Sequence, residues 1–160
     1  MSFSQKRRED KFLGRMLVER RVINEDQLNK VLAIRKEKDT PIGEILIEMG
    51  FARERDILAA VIKQYKLPYV PLDNYEPSLE ALDLIPSDIA RKYFFIPIDK
   101  MGRSLTIAMS NPFRSGGVLS KIEKISKLDV QVVISTRSEI INSINRNYRG
   151  SSFPSSMAYA

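Results

Sequence analysis

Phe12-Leu-Gly-Arg-Met-Leu-Val-Glu19 opens the first copy of a pattern that the chain uses twice, over residues 12–35 and 41–64. Its counterpart in the second copy is Pro41-Ile-Gly-Glu-Ile-Leu-Ile-Glu48. Equivalent positions of the two copies lie 29 residues apart. Apolar residues recur at helical spacing in both halves of each copy. A period of this length is typical of helix-pair repeats, in which one copy cannot bury its apolar face alone. Each copy is therefore predicted to form a helix, a tight turn and a second helix.

The ends of these helices carry their own sequence signals. Gly50 suits the left-handed position after the first helix of the second copy, and Arg21 holds the equivalent place in the first copy, where positive φ is costlier. Asn24, followed three residues later by glutamine, predicts a capping box. Thr40 and Pro41 predict an N-cap and a first helical residue. These signals concern structure and indicate no ligand.

Composition excludes several classes of function. The 160 residues are 43% apolar and 29% charged, as in soluble globular proteins, and contain neither cysteine nor histidine. Disulfides, thiolate metal sites and Ser-His-Asp or Cys-His catalysis are thereby excluded. The sequence also has no phosphate-binding loop, dinucleotide fingerprint, signal peptide or membrane-spanning run. We predict a cytoplasmic chain that is not an enzyme, with no catalytic residues, no metal and no cofactor.

The net charge of +6 is concentrated on the first helix. Such a patch attracts an anionic ligand or an acidic partner surface, whereas the alternative is a solvated helix face with charges of both signs. Nucleic acid is disfavoured because aromatic residues are not interleaved with the basic ones. The candidate partner-binding residues are Arg7, Arg8, Lys11 and Arg15.

The second half of the chain changes from helical repeats to mixed structure. Strand-like and helix-like runs alternate there, and the predicted helix over residues 116–127 turns Val118, Leu119, Ile122 and Ile125 inward. Two further runs, 94–99 and 104–110, indicate a β-hairpin, followed by a strand over 129–135 and a helix over 137–148. Two short helices, over 78–82 and 86–93, are predicted before the hairpin.

The predicted fold class is α+β: a tandem helix-pair subdomain followed by a small α/β sandwich with a mixed sheet. The predicted divisions are a flexible N-terminus (1–9), the repeat subdomain (10–67), a proline-containing linker (68–77), the α/β subdomain (78–149) and a disordered tail (150–160).

Several motifs in a fixed order carry a family resemblance. The doubled pattern is followed by Gln64-Tyr-Lys-Leu-Pro-Tyr-Val70, then by Ile85-Pro86 with Ala90-Arg-Lys-Tyr93, and then by Leu105-Thr-Ile-Ala-Met-Ser-Asn-Pro112. Over residues 10–148 this order resembles the N-terminal domain of type II secretion and type IV pilus-assembly ATPases. The ATPase core that follows in the family is absent from this sequence, so the chain is either an excised piece or a free-standing adaptor or receiver.

The resemblance implies two roles. Some family members bind cyclic di-GMP through tandem motifs that begin with arginine and end with glutamine, and others dock onto the cytoplasmic part of an inner-membrane partner. In this chain, Phe12 and Pro41 replace the two leading arginines, and Arg35 replaces the first closing glutamine. The candidate ligand set is Phe12, Leu13, Gly14, Leu17, Arg35, Ile42, Gly43, Leu46 and Gln64.

Loss of both arginines disfavours the nucleotide, because a guanidinium can stack on guanine and also donate hydrogen bonds. We therefore favour a non-catalytic interaction or regulatory domain that docks to the cytoplasmic domain of an inner-membrane secretion or pilus-assembly protein. If the chain is excised from a longer one, the ATPase core is a further expected partner. The expected location is cytoplasmic, peripheral at the inner membrane through the docking partner. The alternative is a cyclic di-GMP receiver with a degenerate tandem motif. Neither nucleic-acid binding nor direct membrane insertion is expected.

Overall fold

A computed structural model describes residues 3–38, 40–112 and 117–148 of the chain. The chain divides into two compact units, Met1–Lys66 and Leu67–Ala160, which we call the repeat unit and the sheet unit. The predicted tail, 150–160, lies outside the described residues. The α+β fold class predicted from the sequence is confirmed: the described residues form eight helices and a three-stranded mixed sheet.

Four helices make up the repeat unit, as the helix-turn-helix pattern of each copy predicts. They are α1 (Phe3–Glu19), α2 (Glu25–Glu37), α3 (Ile42–Glu48) and α4 (Glu54–Tyr65). α1 begins inside the stretch 1–9, for which we predicted flexibility. The outer helices α1 and α4 pack against each other, and so do the inner helices α2 and α3. Each copy thus buries its apolar stripes mainly against the other copy.

Both copies end their first helix in the same way. Arg21 has φ of 57° and Gly50 has φ of 71°, so both are left-handed, as predicted. In the first copy the Arg21 N–H donates to Val18 O (2.9 Å) and the Val22 N–H to Leu17 O (3.0 Å). Equivalent bonds of 3.0 and 2.9 Å close the second copy. These paired bonds are a Schellman motif, which satisfies carbonyls that the helix end leaves without partners.

The shared motif predicts opposite effects for exchanges at these two positions. Arg21→Gly is expected to raise the free energy of unfolding by up to about 1 kcal/mol, because glycine adopts positive φ without a Cβ clash. Gly50→Ala is expected to lower it by about 1 kcal/mol for the converse reason. Urea unfolding followed by circular dichroism measures both changes. If both variants changed the free energy of unfolding in the same direction, the prediction would be contradicted.

The N-termini of α2 and α3 differ in how they are capped. The Asn24 side chain accepts from the Gln27 N–H (2.8 Å), and the Gln27 side chain accepts in return from the Asn24 N–H (2.9 Å), which confirms the predicted capping box. The prediction for α3 was wrong by one residue, since Pro41 is the N-cap and Ile42 the first helical residue. The fixed φ of proline fits the extended cap position, and its carbonyl already accepts the first helical hydrogen bonds.

The sheet unit follows the predicted order of elements. Its helices are α5 (Leu79–Asp83), α6 (Ser87–Tyr93), α7 (Val118–Ser126) and α8 (Arg137–Asn147), and its strands are β1 (Phe95–Met101), β2 (Ser104–Met109) and β3 (Asp129–Ile134). β2 is central, antiparallel to β1 and parallel to β3. The predicted hairpin is therefore confirmed. Because parallel neighbours need a crossover connection, α7 lies between β2 and β3 in the chain.

Two side chains differ from their predicted places in this unit. Phe94 does not begin β1 but ends α6, with φ of 52°. Ile125, predicted to face inward, is 38% exposed. α7 turns Val118, Ile122 and Ser126 toward the core, and this rotation leaves Ile125 at the margin of the buried stripe, on the side of Lys121.

The segment predicted as a linker, 68–77, packs onto the sheet unit. Tyr69 forms a parallel bridge with Ile134 at the end of β3, and the Ile134 N–H donates to Pro68 O (2.8 Å). The Tyr69 hydroxyl donates to the buried carboxylate of Glu139 (2.8 Å), and Leu72 is fully buried. This segment covers the end of an edge strand that would otherwise present unpaired backbone groups.

Candidate functional site

The repeated glycines lie where the two helices of one copy cross. A Cβ atom on Gly14 would overlap Leu28 Cδ1, and one on Gly43 would come within 2.9 Å of Ile57 Cγ2. Leu28 and Ile57 are themselves equivalent positions of the repeat. Glycine therefore suits both positions, because a larger residue would force the side chain of the second helix to shift. In this structure apolar side chains already occupy the space next to both glycines.

The contacts between the copies are reciprocal. Ile42 Cδ1 lies 3.5 Å from the point where Gly14 would carry a Cβ, and Leu13 Cδ2 lies 3.9 Å from the corresponding point of Gly43. Leu13 is the equivalent of Ile42, so each copy offers the same two positions to the other. The pairing of α1 with α4 and of α2 with α3 follows the same rule. Such exchange of equivalent contacts indicates that an approximate two-fold axis relates the copies.

The structure brings six members of the predicted ligand set together, but as a core. The four apolar members are between 0 and 8% exposed, and both glycines are buried as well. A ligand resting on the surface of this arrangement does not reach them. The six residues are Leu13, Gly14, Leu17, Ile42, Gly43 and Leu46.

The other three members of the set lie apart from this core. Phe12 is 55% exposed. The Arg35 Nε donates to Asp10 Oδ2 (2.8 Å), and its guanidinium also donates to Lys38 O (3.1 Å). Arg35 thus ties the end of α2 to α1. Sequence reasoning missed Asp10, because no local pattern connects residues 25 positions apart.

Gln64, the closing glutamine of the second copy, is partly buried. Its Oε1 is a buried acceptor that receives no hydrogen bond from the described residues. Buried acceptors without a donor are uncommon, because each forfeits its interaction with water. Gln64 is therefore the member of the predicted set whose hydrogen bonding is incomplete among the described residues.

The predicted partner-binding residues form one face of α1. Arg8, Lys11 and Arg15 are exposed, and their spacing of three and four residues places them along one side of the helix. The exposed ring of Phe12 lies on the same side. Arg7 belongs to α1 as well, but its side chain lies outside the described residues. We call Arg8, Lys11, Phe12 and Arg15 the α1 basic face.

Three tyrosines of the sheet unit have shifted pKa values. Burial, with a further contribution from the Asp99 carboxylate, raises the pKa of Tyr75. Burial and the charge of Asp83 likewise raise the pKa of Tyr148, whose hydroxyl donates to Ile85 O (3.1 Å). The hydrogen bond from Lys121 lowers the pKa of Tyr93. Both raised pKa values keep the phenols protonated at neutral pH, and Tyr148 uses its hydroxyl as a donor.

Comparison with known proteins identifies the class to which this fold belongs. The MshEN domain model matches residues 65–153, more than half of the chain. Two curated relatives are type IV pilus assembly ATPases PilB, from Myxococcus xanthus (26% identical over 136 residues, 85% of this chain) and Thermus thermophilus (25% over 141 residues, 87%). The chain spans only 24% and 16% of the lengths of these relatives.

Solved structures agree with this class. A structure of MshE with cyclic di-GMP is 28% identical, with a TM-score of 0.72 over 85% of this chain and 98% of that one. The N-terminal domain of XpsE is 19% identical, with a TM-score of 0.72 over 87% of this chain and 95% of that one, which shows a shared fold. The class is thus the N-terminal domain of type II secretion and type IV pilus ATPases. The chain belongs to the MshEN domain family.

One further property concerns the helices. Among the described residues, no helix combines the length and the apolar composition that crossing a bilayer requires.

Proposed function

We propose that the chain is a non-catalytic docking domain of a type II secretion or type IV pilus assembly ATPase, with the α1 basic face as its contact surface. The observation that carries this proposal is the contrast within the repeat unit: the motif residues are buried as a core, whereas Arg8, Lys11 and Arg15 stay exposed on one helix face. The proposed partner is the cytoplasmic domain of an inner-membrane assembly protein. The proposed location is accordingly the cytoplasm, at the inner membrane through this partner.

The chemistry of the α1 basic face favours an acidic partner. Three cationic side chains within two turns of helix attract carboxylates and steer association. The 55% exposed Phe12 adds an apolar anchor in their midst, and aromatic anchors beside arginines are typical of interface hot spots. The ATPase core of a longer chain is a second proposed partner, since this chain matches only 24% and 16% of the PilB relatives.

A charge-reversal experiment tests the docking proposal. Arg8→Glu, Lys11→Glu and Arg15→Glu are combined, and binding to the cytoplasmic region of the inner-membrane assembly protein of the same system is measured by biolayer interferometry. We expect Kd to rise by at least about tenfold, because three attractive charges become repulsive.

The matched control reverses three exposed lysines elsewhere on the repeat unit, Lys30, Lys36 and Lys63. The control changes net charge by the same amount, so it is expected to change Kd by less than about threefold at physiological salt. Circular dichroism verifies that both variants keep their helices. Equal weakening by the two triple variants would remove the α1 basic face from the interface.

A second candidate function is cyclic di-GMP reception. It is supported by the similarity to MshE, whose structure was solved with that ligand, and by the unpartnered Gln64 Oε1. Guanine carries N–H donors suited to such an acceptor. The approximate two-fold relation of the copies also suits a ligand with two identical halves. Against it stand Phe12 and Pro41 in the places of the family's arginines.

Calorimetric titration separates the two candidates. Cyclic di-GMP is added to the purified chain, with GMP as the control ligand. The docking proposal expects no heat up to about 1 mM ligand. Micromolar binding would instead support the receiver, provided that Gln64→Leu weakens it at least about tenfold. The control Gln131→Leu, at an exposed position of β3, should leave this binding unchanged.

A further inference from the structure

Two lysines from different helices of the sheet unit converge on one tyrosine. The Lys92 and Lys121 Nζ atoms each lie 5.3 Å from the centroid of the Tyr93 ring. Lys121 Nζ also donates a hydrogen bond to the Tyr93 hydroxyl (2.9 Å). Lys92 lies in the last turn of α6, whereas Lys121 belongs to α7, so this cluster joins two helices.

The cluster has cations but no matching anion. Among the described residues, no carboxylate forms an ion pair with Lys92 or Lys121. Two ammonium groups that lie so near one ring repel each other, and physiological salt screens this repulsion only in part. A bound anion would remove this repulsion.

The hydrogen-bonding capacity of the cluster is also incomplete. The Tyr93 hydroxyl oxygen accepts from Lys121, which leaves its own O–H free to donate. The same bond, together with the charges of both lysines, lowers the pKa of Tyr93, as expected for a phenol in a positive field. The two ammonium groups and the hydroxyl thus offer three donor groups to one oxyanion.

The adjoining face of α7 supplies an apolar side chain. Lys124 and Ile125 follow Lys121 by three and four residues, so all three share one side of the helix. Ile125 is 38% exposed, although the helical pattern predicts it to be buried. An exposed isoleucine beside uncompensated cations suits a partner that presents both carboxylates and apolar side chains. We call Lys92, Tyr93, Lys121, Lys124 and Ile125 the α6–α7 surface.

We propose that the α6–α7 surface binds an acidic segment of a partner protein, with a carboxylate held by Lys92, Tyr93 and Lys121 and an apolar side chain against Ile125. This surface belongs to the sheet unit and is separate from the α1 basic face of the repeat unit. Nucleic acid fits less well, because the Tyr93 side chain is partly buried and its hydroxyl is held by Lys121, so that its ring does not form an open stacking platform.

Two synthetic peptides serve as probes on the whole chain. One alternates pairs of glutamates with single leucines, and the other has glycine in place of each leucine. Fluorescence anisotropy of the labelled peptides gives Kd. We expect the leucine peptide to bind more tightly, Lys121→Glu to raise its Kd at least about tenfold, and Ile125→Ser to weaken the leucine peptide by about threefold or more while leaving the glycine peptide unchanged.

The matched control is Arg103→Glu, which makes the same charge change at an exposed position of the β1–β2 turn. Lys121 and Arg103 are both exposed, so each variant is expected to keep its free energy of unfolding within about 0.5 kcal/mol of the parent. We expect the Arg103 variant to change Kd by less than about twofold.

Three outcomes overturn the proposal. The first is equal weakening by Lys121→Glu and Arg103→Glu, which assigns binding to net charge alone. The second is failure of both peptides to bind at about 1 mM. The third is a DNA duplex that binds at least as tightly as the leucine peptide and loses binding in the Lys121 variant, which assigns the surface to phosphate.

Discussion

Leu46→Ala is expected to lower the free energy of unfolding of the repeat unit by about 2–5 kcal/mol, because truncating a buried leucine removes apolar contacts and leaves a cavity. The Leu46 side chain is 0% exposed in α3, and the equivalent Leu17 is 0% exposed in α1. Urea unfolding monitored by circular dichroism measures the change. The loss is large relative to the total stability of a small domain, so partial unfolding at 37 °C is also expected.

The control is a leucine of the same chemistry in a different environment. Leu79 is 77% exposed at the start of α5, so Leu79→Ala is expected to change the free energy of unfolding by no more than about 0.5 kcal/mol. A loss below about 1 kcal/mol for Leu46→Ala would contradict its place in the core. If the Leu46 variant also loses partner binding, its measured loss of stability shows how much of that effect comes from unfolding.

Phe95→Ala is expected to lower the free energy of unfolding of the sheet unit by about 3–5 kcal/mol. Phe95 is fully buried at the start of β1 and belongs to the apolar core of this unit. Close packing of the core limits how far its neighbours can move into the volume that the aromatic ring leaves. Thermal unfolding, followed by the near-ultraviolet signal of the tyrosines, reports the change.

The adjacent phenylalanine supplies the matched control. Phe94 is only partly buried, and the Arg137 guanidinium lies 3.7 Å from its ring centroid. Phe94→Ala removes this cation–π contact and is expected to cost about 0.5–2 kcal/mol. If Phe94→Ala and Phe95→Ala were equally destabilising, the step from the partly buried end of α6 to the buried start of β1 would not lie between Phe94 and Phe95.

The repeat made most of the first unit predictable. A constant offset, two glycines and local capping residues such as Asn24 and Gly50 define helices and turns without reference to distant parts of the chain. The mixed sheet was predictable for a similar reason, because a hairpin and a helical crossover follow from neighbouring segments. Family resemblance, carried by short motifs in a fixed order, was confirmed by the match to residues 65–153.

The remaining features depend on contacts that sequence pattern does not encode. Phe94 and Phe95 are chemically identical, and only the packing of α6 decides which of them enters the core. Ile125 satisfies the helical period yet lies at its margin, because the rotation of α7 is set by the sheet. The candidate site shows the same limit: the buried motif positions were predictable as apolar, whereas the partner of Arg35 was not.

The pairing of the outermost helices of the repeat unit has a consequence for its synthesis. Among the four helices of this unit, α1 leaves the ribosome first, but α4, against which it packs, ends only at Tyr65. Until then the other three helices have apolar stripes that lack their full set of partners, and such transiently exposed surface favours aggregation and engages chaperones. The unit therefore becomes stable in one step when its last helix emerges, and a ribosome paused before α4 would hold an unprotected intermediate.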